Sequence, residues 1–221
     1  VAARACLQRP LAAVSSPRFL AKTALVQAFG DNVMRPWRLL GASDRALRVL
    51  AYPVSAEHDP ALLDRCGVSV DYMPLSLPPT GASVRLSVEL PAMTSNGRKG
   101  PNRPKRKSHM IKPPPLPDGR FDNRAHAAML ADYVLRHLSQ PGRGLADIAV
   151  QDIQATYEAF AFRGERFRAD TTIQIVVAIV DATIADAGAF AAYLAAGAGR
   201  ARAIGLGTTC LLETTTCAEA A

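Results

Sequence analysis

The chain has 221 residues, 49% of them apolar, and carries 26 Lys or Arg against 19 Asp or Glu, a net charge of +7. That apolar content suffices for one large domain or two small ones and excludes wholesale disorder. The positive balance points to a polyanionic partner, nucleic acid or an anionic membrane surface, yet the longest apolar run, Ile173 to Val180 with Gln174 inside it, is far too short to span a bilayer.

Before Asp31 the chain holds Arg4, Arg9, Arg18 and Lys22 and no acid, a composition shared with mitochondrial transit peptides. Ser16 and Pro17 followed by periodic apolar residues argue instead for a folded helix, and that reading is preferred. A short strand is expected near Cys6 to Val14. Ser16 then suits an N-cap and Pro17 the first helical position. Leu20, Ala21, Ala24, Leu25, Ala28 and Phe29 follow at helical spacing, and Gly30 can close the helix. Arg18, Lys22 and Val26 stand above one another on the opposite face.

Arg45 to Tyr52 reads as a strand, and Pro74, Pro78, Pro79 and Gly81 mark a loop-rich stretch after it. Val84, Leu86, Val88 and Leu90 alternate with Arg85, Ser87 and Glu89, the pattern of a half-buried strand ended by Pro91. Asn96 to Lys112 then holds seven Lys or Arg and no acid, which equals the whole net charge. Pro113, Pro114, Pro115 and Pro117 make a stiff connector. This divides the chain into residues 1–115, with a basic loop at 96–112, and residues 116–221.

The second half opens with a helix around Asn123 to Leu138, with Ala127, Leu130, Ala131, Val134 and Leu138 on one face. Gln140-Pro141-Gly142-Arg143-Gly144 ends it. Ile148 to Phe162 alternates loosely, as a strand or a hairpin arm does, and the β-branched run Thr171 to Val180 suits a central strand. Asp186 can cap a short helix, Ala187 to Ala196, that runs into Gly197, and Cys210 to Leu212 makes a last strand. Strands mixed with one or two amphipathic helices in each half suit an α+β fold, best read as two ferredoxin-like units in tandem, although no sequence repeat links the halves.

Four cysteines, Cys6, Cys66, Cys210 and Cys217, form no C-x-x-C pair and have no His at metal spacing. Reduced thiols are expected, with neither a zinc site nor a disulfide framework, and no cofactor is implied. The sharpest motif runs from Gly197 to Gly207 (GAGRARAIGLG). Its glycines allow positive φ, so exposed amides can meet phosphates, and Arg200 and Arg202 can fork onto them. A dinucleotide-binding reading fails on order, because here a helix precedes the glycines and a strand follows. Spacing alone leaves two readings open: a phosphate cradle, or a glycine-rich helix-to-strand turn with solvated arginines.

Glycine, hydrophobe, glycine, a basic residue, then Gly-x-Gly before a C-terminal strand resembles the glycine-rich loop of CRISPR RAMP proteins, closest to the repeat endoribonucleases (the Cas six family). Phe19 to Asp31 is similar to the first helix of their Cascade-associated members, and some type IV relatives resemble this chain in using basic residues in place of a catalytic histidine. The resemblance implies tandem ferredoxin-like, RRM-like domains. It implies metal-independent cleavage of precursor CRISPR RNA beside the repeat hairpin, with retention of the product. A ribose 2′-OH would attack the adjacent phosphate to leave a 2′,3′-cyclic phosphate and a 5′-OH. It implies the prokaryotic cytoplasm as location, other effector-complex subunits as partners and no membrane.

The family's catalytic histidine falls on Lys22 and the nearby tyrosine on Phe19. Lys22 would then supply positive charge, helped by Arg18 or Arg38. Arg98, Lys99, Arg103, Lys105, Arg106 and Lys107 would grip the hairpin's phosphates. Gly197, Gly199, Arg200, Arg202, Gly205 and Gly207 would position the strand. His109, inside the basic run, can serve as an acid or base. His58, His126 and His137 are given no role, and Trp37 and Phe19 suit either base stacking or core packing. Two rivals stand beside this: a RAMP subunit that holds the guide without cutting, and a basic structural protein of an organellar ribosome.

Overall fold

The computed structural model describes residues 2–8, 16–30, 34, 36–43, 46–53, 59–95, 108–163, 168–198 and 205–215. In chain order the first elements are β1 (Ala2–Gln8), α1 (Pro17–Phe29), β2 (Trp37–Ala42), β3 (Ala46–Ala51), α2 (Pro60–Cys66) and β4 (Val68–Met73). Then come β5 (Ser83–Pro91), β6 (Met93–Ser95), β7 (Ser108–Met110), α3 (Asn123–Leu138), β8 (Leu145–Arg163), β9 (Arg168–Ile184), α4 (Ala187–Ala196) and β10 (Thr209–Thr215). Among the described residues no helix is long and apolar enough to cross a membrane.

The strands form two four-stranded antiparallel sheets, ordered β2-β3-β1-β4 and β10-β5-β9-β8, and a two-stranded ribbon of β6 and β7. Each large sheet, with the helices between its strands, follows β-α-β-β-α-β with the fourth strand beside the first and the third inside the second. The α+β, tandem ferredoxin-like expectation therefore holds. The boundary differs from the division near residue 115. β5 precedes that division, yet it pairs with β9 and β10, so the second unit begins at Ser83. The β6–β7 ribbon and the proline connector are an insertion between this unit's first strand and first helix. A composition break marks an insertion as readily as a domain boundary.

Local signals explain most elements. Asp122 and Asp186 cap α3 and α4 by accepting from Ala125 N and Ala189 N, each at 2.9 Å. Helix α2, absent from the expectations, has the same signature: Asp59 accepts from Ala61 N, Pro60 follows, and Gly67 is left-handed at φ 64. Ser16 precedes α1, but its hydroxyl makes no cap bond. The first strand is described over Ala2–Gln8, and the rest of the one expected near Cys6 to Val14 lies in residues 9–15, outside the described residues.

Each unit has its own core. In the first, Ala21, Ala24, Leu25 and Ala28 of α1 pack on Trp37, Leu47, Val49 and Ala51. In the second, Val84, Leu86, Val88 and Leu90 of β5 pack under Leu130, Val134 and Leu138 of α3 and Phe190 and Leu194 of α4. β5 was expected to be half-buried, but Ser87 and Glu89, which point to the other side, are buried too. The second sheet thus has a helix face and a junction face, and the junction face meets the first unit.

Candidate functional site

A strand of period two that turns Val88 and Leu90 to the helices must turn Ser87 and Glu89 to the junction. Glu89 is 3% exposed there. An ionised carboxylate survives such burial only with partners, and two arginines of the first unit supply them. Arg18 of α1 donates from Nη2 to Glu89 Oε1. Arg38 of β2 brings its Nε to 3.0 Å from Oε2, as a charge contact without an in-line hydrogen bond. Burial pushes the Glu89 carboxyl above the ordinary glutamate range, and the pull of Arg18 and Arg38 only partly offsets it.

Both arginines are committed further. Arg18, itself 6% exposed, donates from Nε to Glu158 Oε2 of β8 at 2.7 Å and from Nη1 to the carbonyl of Gly205 at 2.8 Å. Ser16 Oγ, not engaged as a cap, donates to Glu158 Oε1. Arg38 Nη1 donates to Ser87 Oγ at 2.8 Å. One carboxylate lattice therefore ties the start of α1, the start of β2, β5, β8 and the turn after α4.

The glycine-rich turn is pressed into this junction. Gly197 (φ 69) closes α4, and Gly205 and Gly207 hold φ 77 and 80. A Cβ on Gly205 would lie 2.4 Å from Trp37 Cζ3, and one on Gly207 would lie 1.8 Å from the Ala198 carbonyl oxygen. Those glycines are required for close approach as well as for positive φ. Their amides are already used: Gly207 N donates to Glu89 O at 2.8 Å and Gly197 N to Tyr193 O at 2.8 Å. The expectation of outward amides at Gly197 and Gly207 is corrected accordingly, since these residues shape the turn and do not offer donors at its surface. Thr208 Oγ1 donates to Trp37 O at 2.7 Å, and Tyr52 OH donates to Thr209 O at 2.8 Å, so the end of the turn that leads into β10 is stitched twice to the first unit.

The expected residues thus divide. Arg18, Arg38, Gly205 and Gly207 come together, with Lys22 one turn beyond Arg18 on α1. Lys22 is half-buried and has no ion-pair partner among the described residues. Arg18 and Arg38, expected to help Lys22, are both ion-paired: Arg18 with Glu89 and Glu158, and Arg38 with Glu89. Arg98, Lys99, Arg103, Lys105, Arg106 and Lys107, like Gly199, Arg200, Arg202 and His58, lie outside the described residues. The feet of the basic run are described: the β6–β7 ribbon starts two residues after Pro91 and pairs Thr94 with His109. Trp37, 2% exposed, is a core residue and the lid on Gly205, not a stacking surface. His126 and His137 sit in α3, where His126 Nε2 bonds Ile111 O at 2.8 Å and the His137 ring packs at a tilt against Tyr133, with centroids 4.5 Å apart. Sequence reasoning missed Glu89, Glu158 and Ser16, because an acid alternating with hydrophobes looks like solvent-facing charge.

No protein-family model matches this sequence, and no curated protein does. Solved structures do match it. The CRISPR endoribonuclease Cse3 bound to a 19-nucleotide RNA is 15% identical with a TM-score of 0.62, over 96% of this chain and 100% of that one. The CRISPR-associated protein Cas6e from Escherichia coli str. K-12 is 15% identical with a TM-score of 0.57, over 96% and 98%. A chain of a CRISPR RNA-guided surveillance complex gives 15% and 0.55, over 95% and 98%. At this identity the likeness is one of fold, and it runs through both units.

Proposed function

We propose that this chain, which has the fold of the endoribonucleases Cse3 and Cas6e, matures CRISPR RNA by cutting the precursor beside its repeat hairpin. The observation that carries the reading is the hydrogen bond from Arg18 Nη1 to Gly205 O at 2.8 Å, across 187 residues of chain. It joins the first helix to the glycine-rich turn, the two segments whose sequences resemble the repeat endoribonucleases. A strand of RNA laid along that turn would pass beside Lys22.

Cleavage of this type needs no metal. The 2′-OH attacks the neighbouring phosphate, charge builds on the phosphorane oxygens, and the 5′ oxygen leaves. A fixed ammonium beside those oxygens lowers the barrier, and Lys22 is the basic side chain of α1 left for that work. Arg18 and Arg38, held by Glu89, keep α1 and the glycine turn in register. Arg98, Lys99, Arg103, Lys105, Arg106 and Lys107, with Arg200 and Arg202, supply phosphate contacts that hold hairpin and product. The product stays bound and enters an effector complex with other subunits.

The test is incubation with the cognate repeat RNA in EDTA. The expected products end in a 2′,3′-cyclic phosphate and a 5′-OH. Intact RNA, or cutting that requires a divalent ion, overturns the reading. A second reading, a RAMP subunit that binds the guide without cutting, is favoured by the lysine standing where the resemblance puts a histidine. It expects tight binding and no cleavage by the unaltered chain.

A further inference from the structure

Gln174 is the one polar side chain in the apolar run Ile173 to Val180, and it is fully buried on the helix face of the second sheet. For packing alone a leucine would serve, and a buried amide is tolerated only when its hydrogen bonds are met. Two of its bonds go to the main chain of one residue, Ile111. Oε1 accepts from Ile111 N at 2.9 Å, and Nε2 donates to Ile111 O at 3.1 Å and to Tyr157 OH at 3.2 Å. The amide's orientation is fixed by Ile111 N–H, which must meet an acceptor. His126 of α3 donates from Nε2 to the same Ile111 carbonyl at 2.8 Å. On the other side, the main-chain oxygen of Gln174 accepts from Ala92 N at 2.8 Å.

Ala92 immediately precedes β6, and Ile111 immediately follows β7. A single residue of β9 therefore seats both feet of the ribbon whose connection carries Asn96 to Lys107. We infer that Gln174 is a positioning residue for this basic arm: it anchors both feet of the stretch that carries six cations, Arg98, Lys99, Arg103, Lys105, Arg106 and Lys107, for an RNA backbone, without touching RNA itself. The inference rests on the proposed RNA-gripping role of the arm. It extends that role by naming what aims it.

The experiment measures affinity for the repeat hairpin against salt concentration, for the full chain and for Gln174→Leu. The slope of log affinity on log salt counts phosphate contacts. Gln174→Leu is expected to weaken binding on the order of tenfold and to reduce that slope by about 2 to 4, because a misdirected arm loses several contacts at once. A merely structural role lowers the melting temperature and the active fraction but leaves the slope unchanged, and that result overturns the inference. Should Gln174→Leu fail to fold, His126→Ala removes the other donor to the Ile111 carbonyl from a half-buried helix position. It is expected to reduce the slope in the same direction by less, and an unchanged slope overturns the inference. A control replaces Arg98, Lys99, Arg103 and Lys105 with alanine. If that variant keeps the full slope, the arm does not grip RNA and the underlying reading fails. If it loses slope while Gln174→Leu does not, only the role of Gln174 falls.

Discussion

The two faces of β5 are made by one nine-residue strand and teach opposite lessons. Toward the helices, Val84, Leu86, Val88 and Leu90 are apolar and buried, as their alternation predicts. Toward the junction, Ser87 and Glu89 are polar and buried nonetheless. The first face is filled by the unit's own helices. The second is covered by another unit that brings two guanidinium groups, so its polarity reflects a charged docking surface and not solvent. Binary patterning reads the first kind of burial and is blind to the second, which depends on a partner far away in the chain.

The comparison is broken hardest at Glu89. Glu89→Ala leaves Arg18 buried against Glu158 alone and is expected to cost about 3–5 kcal/mol in denaturant unfolding, the scale for orphaning a buried charge. Leu86→Ala on the helix face costs about 2–5 kcal/mol by leaving a cavity. What separates the faces is pH. The folded Glu89 carboxyl holds its proton more tightly than an unfolded glutamate, which titrates near about 4.3. Its contribution to stability is therefore fully present below that value and is lost as pH rises through the higher folded value. The unfolding free energy of the wild type minus that of Glu89→Gln should fall as pH is raised from about 4 toward neutrality. The corresponding difference for Leu86→Ala should stay flat. A flat Glu89 difference would mean that the carboxyl is not held by burial at all.

A smaller effect sharpens the same contrast at the glycines. Gly207 and Gly142 share a left-handed φ, 80 and 79. A Cβ at Gly142 meets nothing within 4 Å, whereas one at Gly207 runs into the Ala198 carbonyl at 1.8 Å. Gly142→Ala should cost about 1 kcal/mol, from backbone strain alone. Gly207→Ala should cost about 3 kcal/mol or more and weaken RNA cleavage with it, because the turn must lift off Glu89 and Trp37. Equal melting temperatures for the two variants would show that the turn has room to move.

Much of the fold is legible in the chain because its cues are local. α3 and α4 have the expected bounds, since an aspartate cap, a helical period and a closing turn all lie within a few residues of each other. Helix α2 and strands β2 and β4 carry weaker cues. Pro60 and the prolines from Pro74 onward resemble loop punctuation, although Asp59-Pro60 and Gly67 bracket a helix. Composition points to a domain boundary at what is an insertion, because charge and proline runs stand out more than a change of sheet. At the candidate site the helix, the glycines and the basic residues were visible as types. Their assembly was not: the lattice pairs Arg18 with residues 71, 140 and 187 positions away, and no spacing rule reaches that far.

The least disruptive prediction for stability bears most directly on chemistry. Arg18 and Lys22 stand one turn apart on α1, both basic, and a sequence treats them alike. Arg18 is buried and bonded to two carboxylates and a carbonyl, while Lys22 is half-buried with no ion-pair partner among the described residues. Lys22→Ala should therefore change unfolding free energy by no more than about 0.5 kcal/mol, as for an ordinary surface site. RNA affinity should change little, since at most one phosphate contact disappears. The single-turnover cleavage rate, in contrast, should drop by about 100- to 1,000-fold, the scale for removing one group that stabilises transition-state charge. Cleavage at the wild-type rate would take Lys22 out of the chemistry and send the search to His109 and the arginines of the glycine turn. Lost affinity with unchanged single-turnover cleavage would make Lys22 a phosphate anchor and nothing more. Only a rate loss at constant stability and affinity fits the proposed division of labour between these two neighbours, one cation fastening the units together and the other acting on RNA.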